Sequence, residues 1–555
     1  MTTAAAGTGR IAIAIGAQPP EQARRLAEAL PSPVASSAAS LERIEGPPRT
    51  GPVTVYGSGA VAGAEGWAWA SSPLSPDAGN HLAAARGLDD AATLAVATDG
   101  GVELRTGISG AQGIYLHLER SGGSALVASS PGALVVAGPA TSAPDWDAWA
   151  QLITSGGALG ARTAFIDVRR LLPDEALLVR GDGPARIESR PWEFSEAPAR
   201  HDGHVDSIAE ALDAAVGRLA ARAPLQVMLS GGWDSRVLAA LAVRHDPAAS
   251  GWTTSKDSGT AWEELVARQV ANILELTHHL VQADARGFAS DLDDYATLVD
   301  HQTPYHVWLL ALARALVPTP GVTLDGLGGG VFFGGAFPPT VGLTSAHQRR
   351  ARQLTRYLRA APGVLRAEVE AQLEARTRAG FEQLSAPLWG HPEADALAAY
   401  WTRTLPGISL GPYGLISGAT AVATPFLDPD VVAESLRIAP RRRKDRALYP
   451  SLIERWSPNL ARLPTISEPP PRDRRRPRRS TAQATAAAFR DRLSQHAVGE
   501  LLSPGLRAAE VSTWQRHLQS HADQHLLRSL WLLAGWLDRY HPSAGGLDCL
   551  LEPTG

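Results

Sequence analysis

The chain has 555 residues, of which 44% are hydrophobic and 19% charged, and its net charge is −4. This length allows two or three domains at roughly 150 residues each, and the composition is that of a folded protein rather than a disordered one. The slight acidic excess argues against a general nucleic-acid binder, no apolar run is long enough to span a bilayer, and the single cysteine, Cys549, excludes an internal disulfide framework or a Cys-rich metal site.

The N-terminus offers one short apolar stretch, 10–16, followed closely by Gln18, Pro19 and Pro20. This is not a signal-peptide pattern, so a cytosolic protein is expected. Residues 1–200 read as a first, strand-rich domain. Apolar runs at 11–15, 53–56, 93–97 and 125–128 alternate with Gly, Pro and Ser clusters. Residues 134–137 and 164–168 continue that pattern, and 176–179 follows a Pro-containing turn. Packed β-sheets with a few helices are expected.

From about 204 the texture changes, and residues 201–555 read as a second domain. Residues 204–222 have helical apolar spacing, and 225–229 is a short apolar run suited to a buried parallel strand. Helix (235–243), strand (251–255), helix (261–274) and strand (278–281) follow. Alternation of this kind predicts a doubly wound parallel sheet. Beyond 335 the pattern is mostly helical, at 346–360, 364–383, 391–404, 429–437 and 446–456. A Pro/Arg-rich break spans 469–479, and 514–540 reads as one or two amphipathic helices. The late tryptophans Trp514, Trp531 and Trp536 fit helix packing.

The strongest local signal is Leu229-Ser230-Gly231-Gly232-Trp233-Asp234-Ser235-Arg236, set between a buried strand and a helix. A Gly-rich turn entering a helix offers free amides and the positive end of the helix dipole to an anion. Gly231 and Gly232 allow close approach of the main chain, and Ser230 and Ser235 add hydroxyls. Asp234 supplies a carboxylate for Mg²⁺, which binds few carboxylates alongside phosphate oxygens. The loop suits a pyrophosphate with its metal; the spacing and the missing lysine exclude a Walker A loop. The two lysines of the chain, Lys256 and Lys444, are each weighed as functional cations or as plain solvated charges. His278 and His279 are neighbours on a strand, point to opposite faces and read as structural.

Ser-Gly-Gly-Trp-Asp-Ser resembles the PP-loop of the N-type ATP pyrophosphatases, and its surroundings resemble the asparagine synthetase superfamily, which includes β-lactam synthetases and lasso-peptide cyclases. Thr323 to Gly335, Glu264 to His279, Pro304 to Ala315 and Thr424-Pro425-Phe426-Leu427-Asp428 carry the likeness over 205–460. A looser likeness to the Ntn-amidohydrolase domain covers 110–195 and ends at Arg170-Leu171-Leu172-Pro173-Asp174. The resemblance implies an ATP-dependent, AMP-forming amide synthetase that activates a small-molecule or peptide carboxylate as an acyl-adenylate, with ATP and Mg²⁺. Neither nucleic acid nor membrane is expected as partner; a precursor peptide is one candidate. The phosphates would meet Ser230, Gly231, Gly232, Asp234 and Ser235, with Lys256 as a further contact. The adenine would lie near Leu229, Thr253 and Gly326. Lys444 is the candidate cation for the second step, with Arg472 or Arg474 able to supply charge but not a proton.

Two departures from the family pattern stand out. The position of the glutaminase cysteine after the initiator is Thr2, which predicts a degenerate glutaminase-like domain and an amine from the acceptor itself or from free ammonia. Gly330 and Val331 occupy the family's acidic pair, leaving Asp234 as the one clear metal carboxylate; Asp325 is a candidate to compensate, but five residues is far around a loop. A nucleotide-binding pseudoenzyme of the same fold is therefore the alternative. A tRNA-thiolating enzyme fits less well, given the lone cysteine and the absence of a basic domain. The Arg-rich run 472–479 reads as a solvated loop, or as a flap over an acidic substrate.

Overall fold

A computed structural model describes residues 9–15, 20–31, 42–44, 53–57, 59–86, 93–97, 100–119, 124–180, 183–196, 202–283, 287–316, 321–334, 346–465, 476–541 and 547–550. Thr2, Arg472 and Arg474 lie outside these residues. The N-terminal part holds β1 (Ile11–Ile15), β2 (Glu42–Ile44), β3 (Val53–Gly57), β4 (Val61–Ala62), β5 (Gly66–Ala70), β6 (Thr93–Ala97), β7 (Gly101–Arg105), β8 (Tyr115–Leu118), β9 (Ala125–Ala128), β10 (Arg169–Arg170), β11 (Glu175–Arg180) and β12 (Arg186–Ser189). They form two antiparallel sheets, ordered β10-β8-β9-β1-β3-β2 and β12-β11-β7-β6-β5-β4.

The period-2 geometry of a strand explains why the sheets stack. Ile11, Ile13 and Ile15 face Trp67, Trp69, Leu94, Val96 and Leu177 of the second sheet in one core. Ala12, Ala14, Leu126 and Ala128 turn the other way, into the larger core shared with the helices. Two expected strands are absent. Residues 134–137 fall at the end of a helix, Pro131–Val136, which Pro131 opens from the extended N-cap Ser130. Residues 164–168 form turns with a single bridge, Pro144 to Phe165.

The second sheet system is parallel: β13 (Leu225–Met228), β14 (Ser250–Thr254), β15 (Thr277–Val281), β16 (Val322–Leu324) and β17 (Ala421–Ala423), in the order β15-β14-β13-β16-β17. Helices Val205–Ala220, Trp233–His245 and Trp262–Ile273 follow the expected alternation. The strand order reverses between β13 and β16, the place where open α/β sheets form a ligand crevice. The C-terminal part is helical, ending in Val511–Gln519 and His521–Tyr540. Trp536 packs edge-on to Trp149 at 5.4 Å and Tyr540 edge-on to Phe165 at 4.9 Å, so these tryptophans do serve packing. Among the described residues no helix is long and apolar enough to cross a membrane.

Candidate active site

Backbone geometry builds the site first. β13 ends at Met228, and the turn 229–232 feeds helix Trp233–His245, whose N-cap is Gly232 with no side-chain cap. The first-turn amides therefore lack intrahelical acceptors. Ser235 Oγ folds back to accept from the Ser230 amide (3.0 Å) and lies 2.9 Å from Ser230 Oγ, which in turn accepts from the Gly232 amide (3.2 Å). The two serines thus shape the turn as well as lining it. Arg236, fully buried, clamps it from behind: Nη2 donates to Gly231 O at 3.0 Å, while Nη1 reaches Leu463 O at 3.1 Å.

In front of the turn lies a cavity of about 280 Å³. Leu229, Ser230, Asp234, Ser235, Lys256 and Gly326, all candidates from the sequence, line it. Gly231 and Gly232 hold the turn but are not in the lining. Thr253 is not in it either. Its Oγ1 donates to Leu229 O at 2.7 Å and sits 2.8 Å from His278 Nε2, and Thr254, one step along β14, meets the cavity instead. His278 and His279 do diverge: His279 stacks on Trp252 at 4.1 Å. Lys444 is exposed and outside the lining. Its neighbour Arg443 is buried against Glu393 and donates to Phe332 O at 2.6 Å, so part of the basic run 441–443 anchors the glycine loop rather than meeting solvent.

Asp325 corrects the expectation that loop length keeps it away. It follows β16 directly and lines the same cavity as Asp234. The two loops touch closely: a Cβ on Gly326 would lie 2.7 Å from Asp234 Cβ. Burial pushes the Asp325 carboxyl up to about 6; the Leu327 amide opposes this, and the Asp234 charge adds to it. Burial also raises Asp234, opposed by a hydrogen bond from Tyr449 and by the charges of Arg446 and Lys256. Both carboxyls are thus desolvated, with Lys256 acting on each. Two carboxylates beside phosphate oxygens are a donor set that Mg²⁺ accepts. Among the described residues no cluster of three or more His, Cys, Asp or Glu could hold a metal alone, so a cation here would need oxygens from nucleotide and water.

Lys256 Nζ pairs with Glu263 Oε1 at 2.6 Å on the cavity wall. Trp252, Trp308, Leu309 and Leu312 supply an apolar side. The described end of the Arg-rich run is tied down: Arg476 pairs with Glu264 at 3.0 Å and Arg479 with Asp291 at 2.8 Å.

The family model for asparagine synthase matches residues 207–538, well over half of the chain. The chain belongs to the asparagine synthase family. This makes it a member of an ATP-using family of amide-forming synthetases, carbon–nitrogen ligases in kind. The match continues past 460 to take in the C-terminal helices. No curated protein matches the chain. Within this asparagine synthase fold, Tyr449, Arg236, Asp325 and Glu263 are the residues that motif reading left out of the site. Arg236 carried a local hint, as the last letter of the loop motif, and Asp325 was set aside for its distance around the loop.

Proposed function

We propose that the chain activates a carboxylate with ATP and passes the acyl group to an amine, without a glutaminase of its own. The carboxylate oxygen attacks the α-phosphorus, the bond to the bridging oxygen breaks, and pyrophosphate leaves. The amine nitrogen then attacks the carbonyl carbon, the bond to AMP breaks, and the nitrogen loses a proton. The observation that carries this reading is the convergence of the 229–235 turn, Asp234, Asp325 and Lys256 on one cavity at the strand switch point.

The residues contribute fixed dipoles and charges where negative charge must be held. First-turn amides and the serine hydroxyls would bind the pyrophosphate portion, and Lys256 would face it from the loop after β14. Mg²⁺, held by Asp234 and Asp325, would neutralise phosphate charge. Leu229, Gly326 and Thr254 form the strand-end wall for the adenine. The amine would come from the acceptor, as in cyclisation of a lasso-peptide or β-lactam type, or from ammonia. A cytosolic location and a precursor-peptide partner belong to this same reading.

One observation favours a second reading, a nucleotide-binding protein without catalysis. Gly330 offers no carboxylate, and Val331, at the other acidic position, is buried. ATP–pyrophosphate exchange across a panel of carboxylates, with wild type and Asp234→Ala, separates the two. Exchange that depends on Asp234 supports the synthetase. Tight ATP binding with no exchange on any acid sinks it in favour of the second reading.

A further inference from the structure

Among the described residues three carboxylates line the nucleotide cavity: Asp234, Asp325 and Glu263. The first two serve the metal in the synthetase reading, and Glu263 has no role in it. Glu263 and Glu264 lie in the first turn of helix Trp262–Ile273, whose start is pinned by Thr260 Oγ1 accepting from the Trp262 amide at 3.0 Å. A helical step of about 100° per residue sends the two acids apart. Glu264 is buried and pairs with Arg476 at 3.0 Å, so its work is structural. Glu263 turns into the cavity and meets Lys256 there, its side chain 12% exposed.

Lys256 stands among the charges of the site. Its ammonium acts on Asp234, Asp325 and His306 as well as pairing with Glu263. The two partners differ in freedom: the lysine side chain is 37% exposed and sits on a flexible four-carbon stem, whereas the shorter glutamate is nearly enclosed and fixed to a helix. A polyphosphate in front of the 229–232 turn carries more negative charge than one carboxylate, so it draws the ammonium toward itself. Glu263 stays behind, a carboxylate relieved of its cation in a cavity that Trp252, Trp308, Leu309 and Leu312 make apolar on one side.

Amide formation needs such a group, because the attacking nitrogen must shed a proton as the acyl-adenylate breaks down. Asp234 and Asp325 are then engaged by the metal. His306 also lines the cavity, but burial with the charges of Lys256 and Arg403 pushes its ring down to about 3, too low to keep a proton it has taken.

We propose that Glu263 is the general base of the second step, and that Lys256 holds it paired until nucleotide draws the lysine away. The amine lone pair forms the carbon–nitrogen bond, the bond from the carbonyl carbon to the AMP oxygen breaks with its electron pair on AMP, and the proton passes from nitrogen to a Glu263 oxygen. This role rests on the synthetase reading above.

The test uses the full chain and has two arms. The first needs no acyl substrate: calorimetric titration with Mg²⁺ and a non-hydrolysable ATP analogue. Glu263→Gln sets Lys256 free in advance, so the analogue should bind about threefold tighter, the scale of one part-exposed ion pair. That gain should vanish in a Lys256→Gln background, as a double-mutant cycle requires of a shared lysine. The second arm supplies ATP, Mg²⁺ and hydroxylamine with aspartate, N-acetylaspartate or 3-phenylpropionate, and compares pyrophosphate exchange with hydroxamate formation. Glu263→Gln should lower the ratio of hydroxamate to exchange by about a hundredfold or more, the range of general-base catalysis. Glu263→Asp withdraws the carboxylate by one methylene but keeps its charge; it should lower the ratio about tenfold, and it decides the matter if Glu263→Gln does not fold. No gain in analogue affinity, a gain that persists without Lys256, or an unchanged ratio overturns the proposal. A wild type that fails to bind the analogue, or binds it and exchanges with no acid, sinks the synthetase reading, and the role of Glu263 falls with it.

Discussion

Tyr449 Oη donates a hydrogen bond to Asp234 Oδ1, although 215 positions separate the two residues in the chain. The tyrosine ring stacks on Trp233 at 6.0 Å and meets Phe333 edge-on at 4.5 Å, so its hydroxyl is aimed by packing. The hydrogen bond favours the charged carboxylate and counters the burial that raises its pKa. Tyr449→Phe keeps the ring contacts and removes the donor. Asp234 should then hold its proton to higher pH, so the acidic limb of Mg²⁺-dependent ATP binding should move up. Well below the midpoint of that limb, binding should weaken by about fivefold, the equivalent of roughly 1 kcal/mol for one hydrogen bond. Titration of ATP with Mg²⁺ across pH in both proteins checks this; an unmoved limb would show that Asp234 is not the titrating ligand.

Asp325 carries the stability cost of the site. Its folded pKa of about 6 exceeds the ordinary 3.8. The folded state therefore binds more protons than the unfolded one between these values, and stability falls as pH rises through that window. Above about pH 6 the full penalty is present; below about pH 4 both states are protonated and it vanishes. Asp325→Asn retains an acceptor for the Leu327 amide, which Asp325 Oδ1 now takes at 2.7 Å. It should stabilise the protein at pH 7 by up to about 3 kcal/mol, at 1.36 kcal/mol per unit, and by almost nothing near pH 3. The same variant should lose Mg²⁺-dependent ATP binding. Denaturant titrations at the two pH values measure the first effect, and equal gains at both would refute the linkage.

Arg236 ties the 229–232 turn to the segment after Leu460. Besides Gly231 and Leu463 it donates to Leu460 O and Pro464 O. Arg236→Met leaves several buried carbonyls without partners, at about 1–3 kcal/mol each. A loss of at least 3 kcal/mol in unfolding free energy is expected, together with weaker ATP binding from a loosened turn. Arg236→Lys should rescue little, because one ammonium cannot span the same fork. Thermal melts and nucleotide titrations of both variants decide it; a methionine variant as stable as wild type would remove Arg236 from its clamping role.

What could be read along the chain was what local pattern determines. β13, β14 and β15 are bracketed by turn residues, and the Ser-Gly-Gly-Trp-Asp-Ser turn announces its own strand-to-helix setting. Residues 134–137 misled because Val135 and Val136 favour strands, while Pro131 after Ser130 starts a helix that burial of Leu134 completes. β17 is three small or β-branched residues, Ala421–Ala423, too short to give a period; it exists because β16 offers a parallel edge. The site's remaining members are tertiary. Asp325 and Tyr449 reach Asp234 through loop closure and helix packing, and no spacing in the chain encodes their approach. Lys444 drew attention through rarity, but helix Pro440–Arg443 turns its neighbour Arg443 inward and leaves the lysine outside.

Gly329 and Gly330 are adjacent, yet they should answer substitution in opposite ways. A Cβ on Gly329 would run into Asp234 Oδ1, whereas one on Gly330 would meet nothing within 4 Å. Neither residue has positive φ, so an L side chain is not strained at either by backbone alone. Gly329→Ala should therefore displace the Asp234 carboxylate and weaken Mg²⁺-dependent ATP binding by tenfold or more, the effect of a misplaced ligand. Gly330→Asp should fold normally and add a third carboxylate next to Gly329, which abuts Asp234. Mg²⁺ affinity in the presence of nucleotide should rise, since an added oxygen ligand replaces water and offsets phosphate charge. If Gly330→Asp instead weakens the metal while the melt stays unchanged, the new carboxylate is repelled by the existing pair with no cation between them, and the assignment of Asp234 and Asp325 as metal ligands fails.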